Sequence, residues 1–261
     1  MGVALMAEPL LEARNVSEVF GGLKAVSDFD FTIAPGELVG LIGPNGAGKT
    51  TAFNLFTGVY QPTTGEIIFD GKSIVGLKPY QITKRGIART FQNIRLFSEL
   101  SVLDNVKIGY HTHAKCSVLE SVLRIGRYAS EEKRIEEDSL ELLRIFRLDD
   151  KAQEVAKNLP YGAQRRLEIA RALAAKPKLL LLDEPAAGMN PQETKELMEM
   201  IQWIRREFGL TVLLIEHDMS LVMGICERLY VLEYGRTIAT GRPEEIKEDP
   251  EVIRAYLGGE A

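Results

Sequence analysis

Three stretches of the sequence carry side chains at spacings that suit phosphate chemistry. The first, Gly43-Pro44-Asn45-Gly46-Ala47-Gly48-Lys49-Thr50, follows the pattern G-x-x-x-x-G-K-[ST]. Gly43, Gly46 and Gly48 let the backbone turn tightly and bring several N–H groups to bear on one anion. A helix that opens at Lys49 presents its positive end to the same charge. Lys49 can then reach the β- and γ-phosphates of a nucleoside triphosphate, while the Thr50 hydroxyl, with Thr51 beside it, can hold Mg²⁺.

The second stretch is Leu179-Leu180-Leu181-Leu182-Asp183-Glu184, an apolar run that ends in two adjacent carboxylates. Neighbouring strand residues point to opposite faces, so the pair can divide its work. Asp183 is expected to orient Mg²⁺ and its waters, and Glu184 to polarise a water beside the γ-phosphate. A purely structural reading, that Asp-Glu opens the turn at Pro185, loses ground because both motifs occur in one chain in the right order. The third stretch, Ile215-Glu216-His217-Asp218, ends another apolar run with a histidine able to donate to a phosphate and to hold Glu184 and water in place. A helix-capping histidine is the alternative there.

These groups need a frame. Leu38–Ile42, Leu179–Leu182, Thr211–Ile215 and Leu229–Glu233 read as short, almost wholly apolar strands. Helical stretches are expected at 49–57, 164–175, 192–208 and 219–226. Such alternation indicates a mostly parallel sheet covered on both faces, with ligands gathering at the strands' carboxyl ends. Residues 10–33 and 63–75 read as further strands punctuated by Gly21-Gly22, Pro35-Gly36 and Asp70-Gly71. From Val102 to Leu148 the pattern turns helical: Val118, Val122 and Ile125 recur at helical spacing, as do Ile135, Leu142 and Phe146, among charges that read as a solvated face. That middle is expected to be a lobe inserted into the α/β core.

Composition narrows the function. The 261 residues carry 32 basic and 37 acidic side chains, a net charge of −5, which argues against a broad grip on nucleic acid. The two cysteines, Cys116 and Cys226, form no metal-spaced cluster, and His111 with His113 lacks neighbouring ligands. No run approaches the roughly 18 apolar residues of a membrane span. The N-terminus lacks the basic flank of a signal peptide, and Met6 occupies the position where myristoylation at Gly2 expects Ser or Thr.

Taken with Thr90-Phe91-Gln92 and LPYGAQRRLEIARAL (159–173), these motifs occur in an order that resembles the ATP-binding-cassette (ABC) ATPases over almost the whole chain. FGGLKAV (20–26), GLIGPNGAGKTTAFNLFTGVYQPTTG (40–65) and the tail GRPEEIKEDPEVIRAYLG (241–258) are similar to the larger ATP-binding subunit of branched-chain amino-acid importers. The ATPase of lipopolysaccharide-export machines is the nearest competitor. No N-K-x-D motif for reading guanine is present.

The resemblance implies an α/β fold: a P-loop NTPase cassette over 8–258, with a mostly parallel RecA-like core and an N-terminal antiparallel β subdomain (8–92 and 163–258) and an inserted helical lobe (93–162). It implies ATP and Mg²⁺ as cofactors. Phe20 stands where the family stacks an aromatic on adenine, though a core phenylalanine beside the Gly-Gly turn would look the same. Gln92 stands where a glutamine touches Mg²⁺ or the attacking water. Tyr161, Gly162 and Ala163 lie in the family's signature loop, which faces the nucleotide of a second subunit. Pro160 replaces its serine there, and Asn190 an aspartate, which argues for work opposite a different ATPase subunit. Implied partners are that subunit, integral membrane permeases and, indirectly, an external solute-binding protein; nucleic acid is not one. Ile94, Leu96, Phe97 and Leu100 either receive a permease helix or pack internally. The implied place is the cytoplasmic face of the membrane. Rival readings are a non-transport ABC ATPase and a regulatory module with negligible turnover.

Overall fold

The computed structural model describes residues 8–113 and 127–257. The Val118–Val122–Ile125 spacing, Cys116, Gly2 and Met6 lie outside these residues.

Two sheets organise the chain. In the first, β1 (Leu11–Phe20) and β2 (Leu23–Ile33) form a hairpin, extended on the other side by β4 (Thr64–Phe69) and β5 (Lys72–Ser73) in antiparallel order β2-β1-β4-β5. Gly21 and Gly22 close the hairpin at φ 51° and 97°, the backbone that a two-residue turn between twisted strands requires. Phe20 therefore sits beside the hairpin tip and not in the core.

The second sheet holds β3 (Leu38–Ile42), β6 (Ile87–Arg89), β7 (Leu179–Asp183), β8 (Thr211–Ile215), β9 (Arg228–Glu233) and β10 (Arg236–Gly241). Its order is β10-β9-β3-β8-β7-β6, and every pair is parallel except β9 with β10. Nine α-helices are described: α1 (Lys49–Phe56), α2 (Pro79–Arg85), α3 (Val102–Tyr110), α4 (Tyr128–Ile145), α5 (Tyr161–Ala174), α6 (Pro191–Phe208), α7 (Met219–Ile225), α8 (Pro243–Glu248) and α9 (Pro250–Leu257). None is long and apolar enough to cross a membrane.

Alternation along the strands builds a core on each face. Leu38, Ile42, Leu180, Leu182, Val212 and Leu214 join the helical side with α3 to α6. Val39, Leu41, Leu179, Leu181, Leu213 and Ile215 face the antiparallel sheet and Phe53 and Phe56 of α1. Fully buried β3, β7 and β8 explain why these strands read as unbroken apolar runs. At roughly 25 cal/mol per Å² of apolar surface, each such leucine or isoleucine contributes about 1.5–3 kcal/mol.

Register brings the motifs to one edge. Leu41 and Asp183 both pair with Ile215, so the loops starting at Gly43, Glu184 and Glu216 leave the sheet side by side.

Most expected elements lie within a residue of their observed bounds, and one start differs by more. The helix expected at 164–175 starts three residues earlier, at Tyr161, because the Pro160 carbonyl accepts from the N–H groups of Ala163 (2.9 Å) and Gln164 (3.0 Å). Proline's fixed φ suits the cap of a helix. Tyr161, Gly162 and Ala163 are thus its first turn and not a loop before it.

Candidate functional site

The glycine-rich loop between β3 and α1 is held by contacts that leave no room for a side chain at Gly43 or Gly48. Gly43 has φ 146°, and a Cβ there would stand 2.0 Å from the Leu232 carbonyl oxygen of β9. Gly48 has φ 103°, and its Cβ would meet the Ala25 carbonyl oxygen at 2.6 Å. The Gly235 N–H donates to the Ala47 carbonyl at 2.9 Å, tying the β9–β10 turn to the loop. Gly46, at φ 78°, faces open space.

Inside this loop Lys49 is buried, and its Nζ donates to the carbonyls of Gly43 (2.7 Å) and Pro44 (2.9 Å). Burial pushes the ammonium below its ordinary value, while Glu184 and Asp183 raise it. An anion in the loop would replace those two carbonyls with a charged partner and relieve the desolvation.

A groove of about 580 Å³ opens over the loop, lined by Asn45, Gly46, Ala47, Gly48, Lys49, Thr50 and Thr51 and by Phe20, Gln92, Glu184 and His217. Phe20 is 40% exposed and meets Tyr60 edge-on at 5.0 Å. Tyr161, Gly162 and Ala163 are not among its walls; Gly162 and Ala163 border a separate cleft between α4, α5 and α6.

Glu184 is the centre of the arrangement. It takes the left-handed conformation (φ 46°), a strained one for a residue with a side chain, costing about 1–3 kcal/mol. Its N–H donates to the Ile215 carbonyl at 2.9 Å. Its Oε2 accepts from Gln92 Nε2 at 2.7 Å, and its Oε1 lies 2.5 Å from His217 Nε2. Three side chains from three loops thus meet at one carboxylate.

Asp183 points the other way, onto the face of Leu179 and Leu181. Its Oδ2 accepts from Arg89 Nη2 at 2.7 Å, both side chains being almost fully buried. Arg89 also donates to Asn54 Oδ1 of α1 at 2.7 Å.

The replaced positions have local reasons. Asn190 caps α6, accepting from Gln192 and Glu193 N–H at 3.0 Å each, and Glu193 returns a bond to its N–H at 3.0 Å; asparagine caps as well as aspartate. Tyr161 lies against Gly188, whose Cβ would come within 3.5 Å of its ring. Of the four apolar residues near Gln92, Phe97 and Leu100 are exposed, whereas Leu96 packs on the core.

Five residues to which the motifs gave no role also shape the site. Glu216 is buried and accepts from the Ala186 N–H at 2.8 Å, pinning the loop after Glu184; burial pushes its carboxyl up. Tyr234 borders the groove from the β9–β10 turn. Arg89, and the pair Arg165–Glu168, are charges within apolar surroundings, and a charged residue in a strand or on a buried helix face is the signal that could have found them.

A model of the ABC transporter family matches residues 26–187, and one of the branched-chain amino acid ATP-binding cassette transporter matches 236–261. The chain is 46% identical over 253 residues to the high-affinity branched-chain amino acid transport ATP-binding protein LivG of Escherichia coli K12, covering 97% of this chain and 99% of LivG. It is 39% identical over 248 residues to the lipopolysaccharide export system ATP-binding protein LptB of the same organism, covering 95% and 97%. The crystal structure of the ADP conformation of MJ1267, an ATP-binding cassette of an ABC transporter, superposes with TM-score 0.84 at 31% identity, covering 97% of this chain and all of that one.

Proposed function

Since the chain belongs to the ABC transporter family, whose ATP-binding subunits hydrolyse ATP, we propose that it energises uptake of branched-chain amino acids from the groove above Lys49. The observation that carries the reading is the Glu184 carboxylate at the sheet edge, held between Gln92 and His217 and facing the same groove as Lys49. The likeness to LivG and the match at 236–261 support the solute class and favour it over lipopolysaccharide export.

Each residue has a chemical part. The N–H groups of 45–51 and the α1 terminus bind the triphosphate, and Lys49 exchanges its two carbonyl partners for the β- and γ-phosphates. Phe20 stacks on the base without reading its edge. Glu184 takes the proton of the attacking water. His217 donates to the γ-phosphate and keeps Glu184 oriented.

Mg²⁺ suits the oxygen donors of Thr50 and Gln92, which line the groove, with Asp183, held by Arg89, adding its negative charge close to Lys49, since this ion favours a few protein oxygens plus substrate phosphates. When bound it neutralises charge on the phosphate oxygens. The first turn of α5, with the N–H of Gly162 unused by the helix, meets the nucleotide of a second ATPase subunit. The exposed Phe97 and Leu100 accept a permease segment, which holds the chain to the cytoplasmic face of the membrane.

Two measurements test this. Detergent extraction of the tagged chain is expected to bring down two hydrophobic permeases and a second ATPase. Vesicles containing them should accumulate radiolabelled leucine, isoleucine or valine when ATP is supplied. Uptake that is indifferent to the chain would end the proposal.

A further inference from the structure

One buried charge pair has no part in the scheme so far. Arg165 and Glu168 of α5 are almost completely buried and 3.0 Å apart. Arg165 Nη1 also donates to the Phe91 carbonyl at 2.6 Å, and Nη2 donates to the Gln92 carbonyl at 2.7 Å and to Tyr161 Oη at 2.9 Å. Glu168 Oε1 accepts from the N–H groups of Phe91 (3.4 Å) and Arg95 (3.2 Å).

Four of these bonds go to the main chain of residues 91–95, so they hold the loop itself and not one rotamer. Such pairs add little net stability, because desolvation offsets most of the attraction. Burial indeed pushes the Glu168 carboxyl up, against the pull of the Arg95 N–H and Arg165. What a planar fork of donors does supply is fixed geometry.

The loop so fixed carries Gln92, which touches Glu184. The other end of the same grip is Tyr161, in the first turn of α5 and against Gly188 in the loop after Glu184. We propose that Arg165 and Glu168 are positioning residues for hydrolysis: they join α5 and residues 91–95 into one rigid piece, so that whatever seats on the start of α5 sets how Gln92 meets Glu184. The inference rests on the roles given above to Gln92 and Glu184. A misplacement near 1 Å at a reacting group can cost about 100-fold in rate, so a small shift of α5 is enough to matter.

The test measures steady-state phosphate release at saturating Mg·ATP, and nucleotide affinity, in the full-length chain. Arg165→Lys keeps the charge and loses the fork. It should lower kcat about 10- to 100-fold, leave nucleotide affinity within about 2-fold, and add little to the loss caused by Gln92→Ala. The double variant Arg165→Met/Glu168→Met, apolar and close in volume, guards against misfolding and should show the same low kcat at a parent-like melting temperature. A parent-like kcat in either folded variant, or effects that multiply with Gln92→Ala, would overturn the inference. If the parent chain itself releases no phosphate, or Glu184→Gln releases it at parent rate, the site reading fails instead.

Discussion

Gln92 donates a 2.7 Å hydrogen bond to Glu184 across 92 positions of sequence. Gln92 follows the edge strand β6 and Glu184 follows β7, and these strands are parallel neighbours. Adjacent loops at one sheet edge therefore share a carboxylate. His217, beyond β8 on the other side, takes the second oxygen. In this arrangement a water that is to lose its proton to Glu184 must share that carboxylate with Gln92 and His217, which makes the loops that carry them the natural place for control.

Glu184→Gln removes the proton acceptor while keeping the shape and the Gln92 contact. Phosphate release should fall by about 10²- to 10⁴-fold, the usual contribution of a general base. Nucleotide affinity should stay near the parent value. Single-turnover assays with labelled ATP check it, and a parent-like rate would remove Glu184 from the chemistry.

Lys49→Ala deletes the mobile charge in the loop. Hydrogen bonds to charged groups contribute about 1.5–3 kcal/mol each, and Lys49 makes one to each of two phosphates, so ATP should bind at least about 150-fold more weakly by titration calorimetry. Stability should hold or rise slightly, because the parent buries an ammonium that only carbonyls satisfy.

Phe20→Ala should weaken ATP binding by about 1–3 kcal/mol, the range for a base stacked on an aromatic ring. Phe20→Trp should restore it. A ring face does not read base edges, so ATP and GTP should lose affinity alike; a loss confined to ATP would contradict stacking.

Glu216→Gln should change how stability depends on pH. Burial, joined by the charge of Glu184, raises the Glu216 carboxyl above its ordinary 4.5, while the N–H groups of Ala186 and His217 pull it back. The unfolded chain therefore releases this proton first, and the parent loses stability as pH rises from about 4.5 to the raised value. Glutamine still accepts from Ala186 and carries no such proton. Urea midpoints should show the variant gaining on the parent through that window and running level above it; a gap constant from pH 4 upward would refute the account.

The apolar runs 38–42, 179–182 and 211–215 were legible because a strand buried on both faces leaves an unbroken local pattern. The loop at 43–50 was equally plain, since its chemistry depends on neighbours in sequence. The start of α5 was misread by three residues because Pro160 and Gly162 look like loop residues, and only the Pro160 carbonyl accepting from Ala163 and Gln164 shows that the helix has already begun. Asn190 looked like a functional departure; its structure reveals a capping box.

Residue types and spacing determined that this chain could hold a triphosphate, and which ends of which strands would carry the acids. The tertiary fold alone decided that Asp183 would turn to Arg89, that Glu184 would stand between Gln92 and His217, and that Arg165 would clasp the loop around Gln92. Periodicity records only which face of an element meets apolar surroundings. Which charge meets which depends on strand order and on burial, where an unpaired polar group is too costly to leave alone.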